Sequence, residues 1–253
     1  MKFEAVRAAL SGQEWGITEE QGRLLFDYVL RAKATRVLEL GTGIGTSACY
    51  VAAALDELGG GTITTIDRNA ELPEHVRRTF AKANSALLKY VRIVTTTSSY
   101  NDELLPLIEA QTRDGRCEPC FDLCYIDGAH TWEADGCAFF LADKLLAPGG
   151  MMLFDDMAWT IAGSPTASKE AWWQSMAPAL RATAQVTKVF DLLVMQHPDY
   201  DDFVKAGDWG WARKKGGAGL SAKSLFTPPT LRAEVIAVAR KVVRHFGAKL
   251  TGK

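Results

Sequence analysis

Short apolar runs rich in β-branched residues alternate along this chain with longer stretches whose apolar positions recur every three or four residues. The first pattern fits strands and the second amphipathic helices. Thr18-Glu19-Glu20-Gln21 has capping-box spacing, so a helix is predicted over 18–33 with Leu24, Leu25, Tyr28 and Val29 inward. A strand over 36–40 then runs into glycines, and a helix follows over 47–58. Three further units are predicted: strand 62–66 with helix 73–88, strand 91–95 with helix 102–111, and strand 121–126 with helix 131–146. Pro148-Gly149-Gly150 turns the chain into a fifth strand over 151–154. Five β–α units in succession imply a parallel sheet covered on both faces. Right-handed crossovers make a doubly wound α/β arrangement the economical solution.

After Trp159 the pattern changes. A helix is predicted over 168–183, a strand over 186–195 and another over 208–213. The connection between these two strands is too short for a helical crossover, so they should form an antiparallel pair at the sheet edge. The expected sheet is therefore seven-stranded and mostly parallel, with an antiparallel edge strand. Gly216-Gly217-Ala218-Gly219 reads as a linker, dividing a domain over residues 1–215 from a segment over 216–253 that ends in a helix over 231–246.

Composition narrows the class. At 253 residues, 47% hydrophobic and 23% charged, the chain can bury a sizeable core and is neither disordered nor fibrous. A net charge of -1 argues against a molecule that binds nucleic acid by charge alone. No apolar run approaches the length of a bilayer span, and the start shows no signal-peptide core, so a cytoplasmic protein is expected. From Arg213 onward the chain carries ten basic residues and one acid, Glu234. The last helix, with Val235, Val238, Val242 and Phe246 on one stripe, is expected to pack on the acidic body or on a twin subunit in a homodimer. An anionic membrane or an acidic partner is the alternative.

Ligands of an open parallel sheet bind beyond the carboxyl ends of its strands. The strand exits here are Glu39 to Ser47, Asp67, Thr97 to Asn101, Asp127 to His130, and Asp155-Asp156. Glycines at 41, 43 and 45 allow a tight turn and close approach of a ligand, ahead of a helix N-terminus. Glu39 just before the turn would repel a diphosphate and welcome a cationic or zwitterionic ligand. Asp67 stands where an acid accepts from ribose hydroxyls. Asp127, Asp155 and Asp156 end two adjacent strands, and three carboxylates that close call for a cation among them, with Mg²⁺ the best match to few oxygen ligands. The plainer alternative leaves Asp156 as a cap and Asp127 serving only the cofactor. His130, three residues past Asp127, is a candidate base or an orienting partner of a carboxylate. Cys117-Glu118-Pro119-Cys120 has the spacing of half a zinc site, but no second pair exists, and Cys124 and Cys137 are expected to pack as small hydrophobes. Trp159 is the candidate aromatic wall against substrate.

VLELGTGIGTS, the acid after the second strand, and IDGAH followed by LLAPGGMMLFDD together resemble a class I S-adenosylmethionine-dependent methyltransferase. The likeness runs in order over roughly residues 15–160. Within that superfamily it is similar to the small-molecule O-methyltransferases of the catechol, caffeoyl-CoA and cephalosporin-type group. The resemblance implies a Rossmann-like methyltransferase fold. It also implies that Ser47 holds the methionine carboxylate, that Glu39, Gly41 and Gly43 contact the methionine part, and that Asp67 holds the ribose. Ser99 and Tyr100 would meet adenine, and Asp127 would serve both cofactor and metal. It places metal ligands at Asp127, Asp155 and Asp156, and a base at His130, where catechol-type relatives carry a lysine. The expected activity is Mg²⁺-assisted methylation of a hydroxyl on a small molecule. The alternatives are a metal-independent methyltransferase of protein, RNA or a nitrogen centre, and a nicotinamide-dependent oxidoreductase. Glu39 and the Thr46 in place of a third glycine oppose the last of these.

Overall fold

A computed structural model describes residues 1–12, 16–69 and 71–226. The strands of its main sheet are β1 (Arg36–Leu40), β2 (Thr62–Asp67), β3 (Val91–Thr95), β4 (Phe121–Ile126), β5 (Leu146–Phe154), β6 (Tyr200–Ala206) and β7 (Trp209–Lys214). They form one sheet in the order β3-β2-β1-β4-β5-β7-β6. Pairings from β3 through β5 are parallel, and β7 runs antiparallel to both β5 and β6. Strand order reverses beside β1, between β1 and β4. The seven-stranded, doubly wound architecture is as the sequence predicts.

Strand alternation sorts the side chains into two cores. On one face, Leu123, Tyr125, Met151 and Leu153 pack with α1 (Phe3–Leu10), α2 (Glu19–Ala32), α3 (Thr46–Leu58) and α4 (Leu72–Ala83). On the other, Cys124, Ile126, Met152 and Phe154 pack with α5 (Tyr100–Gln111) and α6 (Trp132–Leu145). Thr18 caps α2 as predicted, accepting from the Gln21 N–H while Gln21 answers the Thr18 N–H at 2.8 Å. Ten consecutive residues of α3, from Thr46 to Leu55, are buried, so its N-terminus is fixed against the sheet edge.

The predicted strand over 186–195 is a correction. It is helical: an α-helical turn, Gln185–Val189, runs into a π-helical turn, Phe190–Val194. Val186, Val189, Phe190 and Val194 are its buried apolar positions, with 189 and 190 lying three and four residues after 186 and 194 four after 190, a pattern that belongs to a helix, and the run of β-branched residues concealed it. The first strand of the edge hairpin is β6 instead. The helix predicted over 168–183 breaks into short pieces, Ala167–Lys169, Ala171–Gln174 and Pro178–Arg181, since Pro178 lacks the N–H that would continue it. The helix over 73–88 stops at Ala83, where Asn84 caps a 3₁₀ turn, Ser85–Tyr90. Pro148-Gly149-Gly150 lies inside β5 as an irregularity, with Phe121 paired to Leu146 and Leu123 to Met151. α1 is an element the sequence pattern left unassigned; Phe3, Val6 and Leu10 are its buried face.

The glycine-rich stretch after residue 215 lies against the body. An added Cβ on Gly217 would come within 2.2 Å of the Pro148 carbonyl, and Ala222 is buried. Phe226 meets Trp211 edge-on at 6.4 Å. The helix predicted over 231–246 lies outside the described residues. All five cysteines are free; Cys49 and Cys124 are buried, whereas Cys137 is exposed rather than packed. Among the described residues, no helix is long and apolar enough to cross a membrane. A cavity of about 390 Å³ lined by Lys33, Arg36, Asp122 and Leu220 opens at the amino edge of the sheet, away from the strand exits described next.

Candidate active site

The turn after β1 needs its glycines for different reasons. Gly41 has φ 95°, and its N–H donates to the Ile66 carbonyl at 2.9 Å. An added Cβ there would lie 1.7 Å from the Asp127 carbonyl oxygen, so the turn backs directly onto the exit of β4. Gly43, at φ 53°, has open space around the same position. Gly45 caps α3 in the left-handed region, and the N-terminus of that helix faces the strand exits.

Glu39 is fully buried under this turn, accepting hydrogen bonds from the hydroxyls of Ser47 and Thr65. Burial pushes its carboxyl up to about 7, against the opposing pull of those two hydroxyls. Ser47 is itself buried, and its hydroxyl is turned to Glu39. Asp67, at the end of β2, accepts from the N–H groups of Thr42 at 2.9 Å and Gly43 at 3.0 Å, which ties the acid to the glycine turn. Ser99 caps α5, accepting from the Asn101 N–H at 3.1 Å. Tyr100 is buried and donates its hydroxyl to the buried Asp135 of α6. The Ala129 N–H donates to both of these groups at 3.3 Å, and the Tyr100 ring sits where a Cβ on Gly128 would be. Tyr100 thus braces the loop that carries Asp127 and His130.

The acids at the exits of β4 and β5 are drawn together. The Asp127 N–H donates to the Leu40 carbonyl at 2.8 Å, and the Asp155 N–H to the Ile126 carbonyl at 3.0 Å, so both prolong the sheet ladder. One ligand atom each from Asp127, His130 and Asp156 lie within 4.8 Å of one another. His130 Nδ1 stands 3.4 Å from Asp156 Oδ2, and both residues hold left-handed backbone, at φ 56° and 54°. Asp155 is deeper, accepting from the Tyr125 hydroxyl and from the Asp156 N–H at 2.7 Å. It groups instead with Asp156 and Asp208, again within 4.8 Å. Trp159 tilts against His130, ring centres 5.1 Å apart.

Crowding is written in the ionisation of these groups. Burial, and then the neighbouring Asp155, raise Asp127 well above the usual carboxylate range. Burial raises Asp155 too, and burial with Asp208 brings Asp156 to about 6. Burial lowers His130. The carboxylates of Asp127 and Asp156 at this spacing suit a divalent cation, whose charge would relieve the repulsion among the acids, with the neutral His130 imidazole beside it. Three contributors went unread in the sequence: Tyr125, Asp135 and Asp208. Tyr125 looks like one more apolar strand residue, Asp135 like an exposed helix acid, and Asp208 is brought in only by the antiparallel run of β7.

Residues 38–157, which contain this whole arrangement apart from Asp208 and Trp159, match the family model of a methyltransferase domain. No curated protein matches the chain. Among solved structures it is similar to the O-methyltransferase TomG of Streptomyces achromogenes, involved in tomaymycin synthesis and bound to S-adenosylmethionine. Identity is 21% over 85% of this chain and 92% of that one, with a TM-score of 0.57. The O-methyltransferase of Bacillus cereus, in complex with S-adenosylhomocysteine, is 21% identical over 84% and 90% of the two chains, TM-score 0.57. The S-adenosylhomocysteine-bound methyltransferase PaMTH1 of Podospora anserina is 20% identical over 85% and 86%, TM-score 0.58. The methyltransferase resemblance read from the strand exits is borne out, and so is the fold.

Proposed function

We propose that this methyltransferase domain moves a methyl group from S-adenosylmethionine to a hydroxyl of a small molecule, assisted by a divalent cation of the Mg²⁺ class. One observation carries the reading. The glycine turn and the cluster of Asp127, His130 and Asp156 share a backbone seam, Gly41 against Asp127, so cofactor and cation sites are contiguous. The cofactor would be held at Glu39, Gly41, Gly43, Ser47 and Asp67, with Ser99 as the adenine-side candidate, since Tyr100 is committed to Asp135. Glu39 then acts through Ser47, whose hydroxyl it orients. The sulfonium methyl is an activated electrophile that arrives with the cofactor. Asp127 and Asp156 would hold the cation, with Asp155 behind them, and the cation would lower the pKa of a chelated substrate hydroxyl.

This chain's own work is positioning and proton transfer. His130, kept neutral by burial, accepts the hydroxyl proton, and the adjacent Asp156 carboxylate stabilises the imidazolium that forms. Trp159 limits the position of the substrate over His130 and excludes water from it. Residues 1–215 form the catalytic domain in this reading, with the basic segment over 216–253 appended, in a cytoplasmic protein that needs neither nucleic acid nor membrane. A homodimer through that segment belongs to the same proposal. Methyl transfer to a catechol probe should fall at least about 10-fold in chelator, return with Mg²⁺, and be lost in Asp127→Ala. Unchanged transfer in chelator and in a folded Asp127→Ala would overturn the cation assignment.

A further inference from the structure

Asp208 occupies the Gly207-Asp208 turn between β6 and β7. Because β7 runs antiparallel to β5, its first residues arrive at the carboxyl edge of the parallel strands, beside Asp155 and Asp156. The Asp208 carboxylate Oδ1 accepts from the Ala158 N–H at 2.6 Å, and its carbonyl accepts from the Met157 N–H at 3.0 Å. From the other side, the Thr187 hydroxyl donates to the Met157 carbonyl. Met157 itself is buried, against Gly210 of β7. Residues 157 and 158 are therefore held on three backbone groups, immediately after Asp156 in its left-handed conformation. Aspartate tolerates that backbone better than most residues, and the bonds to residues 157 and 158 fix the turn that follows it.

We infer that Asp208 is a positioning residue: it clamps the turn after β5 so that the Asp156 carboxylate stays within reach of Asp127 and His130. This rests on the assignment of Asp127 and Asp156 to a cation. Its side chain acts as a hydrogen-bond acceptor rather than as a ligand or a needed charge. An amide oxygen can make the same bond, so Asp208→Asn should retain the clamp and Asp208→Ala should lose it.

The experiment titrates Mn²⁺ against the full-length protein without S-adenosylmethionine, following the free-ion electron paramagnetic resonance signal. Wild type, Asp208→Asn, Asp208→Ala and Asp127→Ala are compared, each checked for fold by circular dichroism. Asp208→Asn should bind within about 3-fold of wild type, while Asp208→Ala weakens binding about 10- to 100-fold, the usual effect of losing a group that orients a ligand. Equal binding in wild type and Asp208→Ala overturns the clamp. So does equal weakening in Asp208→Asn and Asp208→Ala, which would make the charge the active feature. Wild type binding no better than Asp127→Ala overturns the cation assignment itself, and the clamp with it. Should Asp208→Ala fail to fold, hydrogen exchange in the wild type decides. Protection of the Met157 and Ala158 amides supports the clamp, and exchange at open-loop rates refutes it.

Discussion

His130 and Asp156 leave different strands, yet their side chains face each other at 3.4 Å with both backbones in the left-handed region. Each such non-glycine residue costs roughly 1–2 kcal/mol, so the pair is held together against local preference. His130→Gly should therefore keep or slightly raise stability, by up to about 1 kcal/mol, after the extra chain entropy of glycine is set against the relieved strain. The same change should lower kcat/KM by about 10²- to 10⁴-fold. Burial lowers the pKa of His130, which keeps the imidazole neutral further into acid, so the acid limb of wild-type kcat/KM should fall below the ordinary histidine value of about 6.5. Urea unfolding and a pH–rate profile read both quantities. A marked loss of stability in His130→Gly would mean that the ring supports the fold rather than the reaction.

Glu39 makes the stability of the protein depend on pH. Its carboxyl titrates at about 7 in the folded chain and at 4.5 in the unfolded one, so between these values the folded state keeps a proton that the unfolded state has released. Stability is therefore highest below about 4.5 for this group and declines as pH rises to 7, by about 3 kcal/mol in all. Glu39→Gln, similar in shape and uncharged, should flatten that part of the profile. Denaturant midpoints of the two proteins between pH 5 and pH 8 provide the check, and parallel curves would remove Glu39 as the cause.

The glycine turn offers a paired comparison. Gly41→Ala places a methyl group on the Asp127 carbonyl, at a backbone φ of 95°, with nothing flexible to yield. It should cost more than about 2 kcal/mol and abolish the thermal shift given by S-adenosylhomocysteine. Gly43→Ala meets open space and carries only the conformational penalty, about 1 kcal/mol. Equal effects of the two substitutions would show that φ alone, and not the contact with Asp127, makes Gly41 necessary.

The parallel half of the sheet was legible because each of its strands is a compact apolar run bounded by turn residues and a helix of clear period. Legibility stopped where two periodicities overlap. Val186, Val189, Phe190 and Val194 are β-branched or aromatic, so composition argued for a strand while their spacing argued for a helix, and the spacing prevailed. At the site, the exits of β1, β2, β4 and β5 could be placed from sequence because parallel strands all deliver their ends to one edge. Asp208 could not, since its arrival depends on which segment pairs antiparallel with β5. Side-chain commitments were hidden too. Nothing in the order of residues says that Tyr100 turns to Asp135, or that Ser47 turns down to Glu39.

The seam between Gly41 and Asp127 leaves no hinge between the floor that would receive the methionine end of the cofactor and the corner that would receive the ion. The two cannot slide past one another, so occupancy of one should neither open nor close the other. Any breathing needed to admit an acceptor molecule is expected from above, where Trp159 and the broken helical pieces up to Arg181 follow β5. Divergence in what such a protein accepts would accordingly be expected in that roof, with the floor left untouched.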